Sequence, residues 1–450
     1  MTFFFHNSNK LIKYFPAFLS GILLTMAFPD ADITPLAFLA FLPWLSSIRS
    51  FTLKESFISG FCMGMTHYLS LIYWIIPTIN IYGKLHIILA ASILILLCMY
   101  LSLYPAFFAI LKKIAVPDSP AAPFFSACLW VGLEFVRTHA FTGFPWGALG
   151  YSQYSNGLII QIADFSGVLG VSFLVAFVNF SIARAWSEAK AGFYLKSIFN
   201  IVLPAIFLGS TVFYGSYQTN AWTQKIKKAP KAEIAVIQGN IEQDKKWSST
   251  FKTTTVEKYI KLSESVKEED PDLIIWPETA LPFYYGFDQA LSNRVDQAVR
   301  DIGTSFLIGS PAFERDDEVI HFYNRALMLN RFALVTEFYD KRHLVPFGEY
   351  VPLGSYLTFL GKITAHAGDF SKGKNEFTPL SFGDHRTGVL ICFEILFPSI
   401  ASRFVLNGAD MLTTLTNDAW FGYTSAARQH FSIAVLRAVE NRRSLARAAN

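Results

Sequence analysis

The uneven spread of charge along the chain constrains it most. Residues 1–218 hold 11 Lys/Arg and 7 Asp/Glu, whereas residues 219–450 hold the other 27 of each kind. The charge-poor half is broken into apolar runs near 12–28, 33–48, 57–77, 87–111, 121–136, 158–183 and 197–215. A membrane-spanning helix needs about 20 apolar residues. The third, fourth, sixth and seventh runs reach that length; the first, second and fifth are shorter and would suit buried core helices as well. Loop charges decide between these readings. With the N-terminus inside, the inner segments carry Lys10, Lys13, Arg49, Lys54, Lys112, Lys113, Arg184, Lys190 and Lys196, and the outer loops only Lys84 and Arg137. That is the positive-inside pattern. The sequence therefore predicts seven spans over 1–218, with everything after them outside the cytoplasm. The first run has the basic start of a signal peptide, but Phe28-Pro29 stands where small residues would be wanted, so an uncleaved span is expected.

Glu134 and Asp164 fall inside apparent spans, where ionisable side chains face a bundle interior or water. Both lie near span ends, so an interfacial placement fits equally. Cys62, Cys98 and Cys128 lie in spans as small soft hydrophobes. Cys392 is alone in the second half, with no partner there for a disulfide. No His/Cys pattern suggests a metal, no glycine loop suggests a phosphate cradle, and nothing suggests a nucleic-acid surface; no cofactor is expected.

Residues 219–232 read as a basic linker, and 233–450 as a water-soluble domain. Glu233 to Asn240, Leu273 to Trp276, Thr304 to Ser310, Asn324 to Asn330, Ala333 to Tyr339 and Gly388 to Ile391 read as strands. Residues 250–269 and 289–302 read as helices. This alternation predicts a layered α/β domain. Between Phe347 and Lys374 runs a long irregular stretch whose apolar patch, Tyr356 to Leu360, suits either a lid dipping among lipid chains or simple packing.

Three strand ends carry chemistry. Leu273-Ile-Ile-Trp276 delivers Glu278, the strand before Lys341 delivers an ammonium, and Gly388-Val-Leu-Ile391 delivers Cys392. Singly, each has a plain reading as a helix cap, a turn residue or a core thiol. Together they supply a base, an oxyanion partner and a nucleophile. A thiol with a free pKa near 8.5 needs such neighbours to react.

Glu278 in Trp-Pro-Glu-Thr-Ala-Leu-Pro, Lys341 in Tyr-Asp-Lys-Arg-His-Leu-Val-Pro-Phe-Gly-Glu-Tyr and Cys392 in Gly-Val-Leu-Ile-Cys-Phe-Glu resemble the Glu-Lys-Cys set of the nitrilase superfamily. With the apolar first half, and the loop Phe144 to Gln153, the chain is similar to the bacterial apolipoprotein N-acyltransferase family over nearly its whole length. The resemblance implies a polytopic α-helical membrane domain joined to an α/β nitrilase-like αββα sandwich. It implies a thioester on Cys392, a phospholipid acyl donor and, as acceptor, the N-terminal amine of the S-diacylglyceryl cysteine of an apolipoprotein. It further implies a monomer in the bacterial inner membrane with its catalytic domain on the periplasmic side. Glu349, Glu394 and Trp247 fall on positions that the family treats as functional or near substrate. Phe393, Asn417 and Trp420 are expected to support the site or line its wall. Phe393 stands where many members carry tyrosine, so no phenolic hydroxyl acts there. The resemblance also implies further strands and one more span beyond Asn450. A membrane-anchored nitrilase-type amidase, or a non-catalytic scaffold of the same fold, are the alternatives. Seven spans and an intact catalytic set argue against them.

Overall fold

A computed structural model describes residues 2–243, 249–316, 319–350, 370–374 and 376–450. Trp247 and the patch Tyr356 to Leu360 lie outside the described residues. The chain divides into two compact units. The first comprises Met1–Ile76, Ile87–Lys228 and Ser425–Glu440, and the second Pro77–His86, Ala229–Thr424 and Asn441–Asn450.

The first unit is helical: α1 (Thr2–Met26), α2 (Leu42–Ile48), α3 (Leu53–Leu71), α4 (Ile87–Ala115), α5 (Ala122–His139), α6 (Ala163–Lys190) and α7 (Tyr194–Lys228). Among the described residues three helical runs are long and apolar enough to cross a membrane: Ile87–Ala115, Ile159–Lys190 and Tyr194–Lys228. The run expected at 33–48 is not one continuous helix. A 3-10 turn at Thr34–Phe38 and the short α2 replace it, with Pro35 and Pro43 in their first turns. Proline is accepted there because the first helical N–H groups lack intrahelical partners anyway. A capping box between Thr52 and Glu55 starts α3. Gly60 and Gly64 then allow α3 to lie on α4. A Cβ on Gly60 would meet the Pro105 carbonyl oxygen at 2.4 Å, and one on Gly64 would meet Ser102 Cα at 2.8 Å. Small residues one turn apart let helix backbones approach this closely. The basic stretch expected as a linker from 219 is helical through Lys228, because α7 runs on. Arg137, counted above as a loop charge, lies within α5 and is buried.

Among the described residues the second unit contains two sheets. In the first the order is β1 (Ile234–Val236), β2 (Leu273–Trp276), β3 (Ser305–Asp316), β4 (Val319–Leu329), β5 (Val335–Asp340). The pairs β1–β2 and β2–β3 are parallel, and the remaining two antiparallel. All four residues of β2 are buried, as an unbroken Leu-Ile-Ile-Trp run requires of a central parallel strand. The second sheet runs β6 (Leu380–Phe382), β7 (His385–Ile391), β8 (Met411–Thr416), β9 (Leu445–Ala449), with β7, β8 and β9 parallel. The sheets meet where β1 lies by β9 and β4 by β6 and β7. Helices α8 (Ser249–Glu264) and α9 (Gln289–Ile302) cover the first sheet through Val256, Tyr259, Val295 and Val299 against Trp276 and Phe306. Helix α10 (Pro398–Leu406) covers the second. A Cβ on Gly388 would strike the Phe404 Cβ at 2.5 Å. The layers are thus helix, sheet, sheet, helix. A last helix, α11 (Ala426–Asn441), counts through residue 440 with the helical unit.

Candidate active site

Each chemically active side chain stands just beyond a strand. Glu278 follows β2 by two residues, Lys341 follows β5 directly, and Cys392 follows β7 directly. Packed strands fix the backbone up to those points, so small errors of placement are not free to accumulate. The turn at Cys392 is tight: its φ is +51°, the left-handed region that a side chain adopts at a cost. A 3-10 turn, Cys392–Leu396, and then α10 continue from it. A nucleophile on a strained strand-to-helix turn projects its side chain out of the sheet.

Lys341 is 1% exposed and Glu278 6%. The ammonium Nζ donates to Glu349 Oε1 at 3.0 Å and reaches Glu278 Oε1 at 3.4 Å. Asn324 ties the two carboxylates together, its Nδ2 donating to Glu278 Oε1 at 2.7 Å and to Glu349 Oε1 at 3.2 Å. The other oxygen of Glu278 accepts the backbone N–H of Asn417 at 3.0 Å, and that of Glu349 the N–H of Val345 at 2.8 Å. Burial by itself would favour a neutral Lys341. The charges of Glu349 and Glu278 outweigh it and hold the ammonium above its ordinary pKa. The Cys392 thiol is pushed up, first by burial and then by the Glu278 charge, while Lys341 and a hydrogen bond with Thr416 pull it back. Such a thiol stays protonated at neutral pH until a base removes the proton. The arrangement thus holds a thiol, a carboxylate that can accept its proton and a fixed cation for a developing oxyanion.

The supporting residues separate by position. Glu349 belongs to this cluster. Glu394 takes a different set of donors: its Oε1 accepts Tyr339 Oη (2.9 Å) and the N–H groups of Arg342 (2.7 Å) and His343 (3.1 Å), and its Oε2 the N–H of Ile391 (2.8 Å). It clamps the segment after Lys341 to the strand end before Cys392. Phe393 packs with His343 and Phe397, ring centres 5.7 and 5.4 Å away. Trp420 meets Tyr82 edge-on at 5.5 Å. Asn417 approaches Glu278 through its backbone, not its side chain. Sequence reasoning misses Asn324 as a site residue; on β4 it stands between Tyr323 and Arg325, where its polarity alone does not mark it. Among the described residues no group of three or more His, Cys, Asp or Glu is placed to hold a metal ion, and none of the four cysteines is in a disulfide.

Glu134 and Asp164 are anchors of the helical unit. Glu134 Oε1 accepts the Trp130 indole N–H and the Leu149 N–H, and Asp164 accepts Tyr214 Oη and Gln218 Nε2.

The carbon-nitrogen hydrolase family model matches residues 233–450, the span that holds both sheets. The model of the apolipoprotein N-acyltransferase N-terminal domain matches residues 20–181. Among curated relatives, the apolipoprotein N-acyltransferase of Geobacter metallireducens is 40% identical, covering 97% of this chain and 83% of its own. That of Methylococcus capsulatus is 32% identical, covering 96% and 83%. A solved carbon-nitrogen hydrolase from Helicobacter pylori is 16% identical, with a TM-score of 0.34 over 44% of this chain and 68% of its own. The chain belongs to the apolipoprotein N-acyltransferase family.

Proposed function

We propose that this enzyme moves an acyl chain from a membrane phospholipid to the N-terminal amine of the S-diacylglyceryl cysteine of an apolipoprotein. The observation that carries the reading is the convergence of Glu278 and Lys341, on strand ends of one sheet, with Cys392 on a strand end of the other. In the first half-reaction Glu278 accepts the thiol proton and the sulfur attacks the ester carbonyl. Lys341 faces the resulting oxyanion. The C–O bond then breaks, and the leaving alkoxide takes the proton from Glu278 and departs as lysophospholipid, leaving a thioester. In the second half-reaction the amine attacks that carbonyl and gives its proton to Glu278. The C–S bond breaks and the thiolate recovers the proton. This is a ping-pong sequence through a covalent intermediate. The charge bias of the helical half supports an inner-membrane enzyme whose catalytic domain, residues 233–450, faces the periplasm.

Intact-mass measurement after incubation with phospholipid in detergent tests the reading. The parent should gain one acyl chain, Cys392→Ser none, and an added diacylglyceryl-cysteine peptide should discharge the adduct and gain the same mass. An adduct persisting in Cys392→Ser, or turnover of small amides with no adduct in the parent, would overturn it.

A further inference from the structure

Where Asn417 holds its backbone N–H decides how one oxygen of Glu278 is aimed. That N–H is the hydrogen-bond donor to Glu278 Oε2, at 3.0 Å. The Asn417 side chain, 2% exposed, is itself held between two other buried amides. Its Nδ2 donates to Gln243 Oε1 at 2.6 Å, and its Oδ1 accepts Asn450 Nδ2 at 2.9 Å. Asn450 is fixed in turn by both backbone polar groups of Ile241. Its Oδ1 accepts the Ile241 N–H at 2.8 Å, and its Nδ2 also donates to the Ile241 carbonyl at 2.9 Å. A side-chain amide thereby pairs with backbone as a neighbouring strand would. The Asn450 N–H also bonds the Thr416 carbonyl at 3.1 Å, and Thr416 is the last residue of β8, the strand paired with the β7 strand that ends just before Cys392. One residue therefore touches both the support of the base and the strand end beside the nucleophile.

We infer that Asn450 and Gln243 are positioning residues for acyl transfer, setting through Asn417 the orientation of Glu278 toward the Cys392 thiol. The inference rests on the proposed thioester mechanism. Its physical basis is the direction of each bond. The Asn417 amide donates on one side and accepts on the other, so its orientation is fixed only while Gln243 offers an oxygen and Asn450 an N–H. Asn450→Asp keeps the shape and the oxygen that accepts from Ile241. It replaces the donor with a second oxygen, which then faces the Ile241 carbonyl and Asn417 Oδ1, two acceptors. Gln243→Leu removes the oxygen that Asn417 Nδ2 uses, whereas Gln243→Glu keeps one.

A misplacement of about 1 Å in a reacting pair reduces rates by as much as about 100-fold. The test is single-turnover acylation of the intact chain by phospholipid, read by intact mass, giving both the acylated fraction and the rate constant. Asn450→Asp and Gln243→Leu should reach the parental fraction at a rate constant roughly 10- to 100-fold lower, with Gln243→Glu within about threefold of the parent. A lower fraction reached at the parental rate constant would mean lost folded enzyme and would overturn the positioning role. So would parental rates and fractions in both variants. If Asn450→Asp does not fold, the Gln243 pair still decides. Absence of any acyl-enzyme in the parent would instead refute the underlying mechanism.

Discussion

Glu394→Gln is the perturbation that best separates clamping from chemistry. Glu394 is fully buried, and four donors converge on it, three at Oε1 and one at Oε2. In the glutamine variant the carbonyl oxygen stays with the three donors, so the new NH2 group faces the Ile391 N–H. Hydrogen bonds to a charged group are worth about 1 kcal/mol more than neutral ones, so weakening three costs about 3 kcal/mol. Leaving the Ile391 N–H without an acceptor costs about 2 kcal/mol more. A neutral amide is cheaper to bury than a carboxylate, which returns about 2 kcal/mol and leaves a net loss of about 3 kcal/mol. For a domain of this size each kcal/mol lowers Tm by about 2–4 °C, so a fall of about 6–12 °C is expected in detergent.

A pH series adds an independent readout. Burial raises the Glu394 carboxyl above its ordinary value of 4.5, against the pull of the Ile391, Arg342 and His343 N–H groups. The folded state then keeps the proton over an interval in which the unfolded state has lost it. Stability from this group is full below the ordinary value and falls as pH rises through the raised one. Glutamine has no such slope, so the Tm gap between parent and variant should narrow as pH is raised. Melting by intrinsic fluorescence across that range is the assay. A variant melting within about 2 °C of the parent at every pH would refute the clamp.

Gln429 accepts the indole N–H groups of Trp74 (3.2 Å) and Trp146 (2.7 Å) and donates to the carbonyls of Pro29 (3.1 Å) and Leu71 (3.0 Å). Gln429→Leu removes these four bonds at about 1 kcal/mol each, along with a shared one to Ser425 Oγ at 3.1 Å, so the helical unit should lose about 4 kcal/mol. A loss below about 1 kcal/mol in detergent unfolding would show that α11 does not depend on this residue. Orientation is checked with Asp384→Cys, an exposed turn position, in the Cys392→Ser background. An impermeant thiol reagent should label it in intact spheroplasts, and labelling that needs a broken membrane would reverse the topology.

The readable parts of the chain are those in which one physical demand acts on consecutive residues. Buried parallel strands need unbroken apolar runs, so Leu273 to Trp276 and Gly388 to Ile391 stand out, and the ionisable groups after them can be singled out. Asp288 offers the same kind of local signal for α9, since its side chain caps the Leu291 N–H and Gly303 ends the helix at φ +84°. Asn324 is different. Its function depends on two carboxylates, one 46 residues before it and one 25 after it, and no local spacing encodes such convergence. Asn450 is hidden for the same reason.

The last helix shows the limit from the other side. Residues 426–441 carry Arg428, Gln429, His430, Arg437 and Glu440 and fall within the stretch read from sequence as a water-soluble domain. Yet α11 through residue 440 belongs to the helical unit, and Arg428, Arg437 and Glu440 find partners within that unit. Arg428 pairs with Asp30 and Asp32, Arg437 bonds Tyr151 Oη at 2.7 Å and pairs with Glu440, and Glu440 accepts the Val168 N–H at 2.8 Å. That N–H stands beside Gly167, whose φ of +64° interrupts the regular course of α6. A buried carboxylate needs donors, and an interrupted helix has donors to give, so each solves the other's problem. Polarity in a sequence reports only that partners are required. Whether water or protein supplies them is settled by the fold.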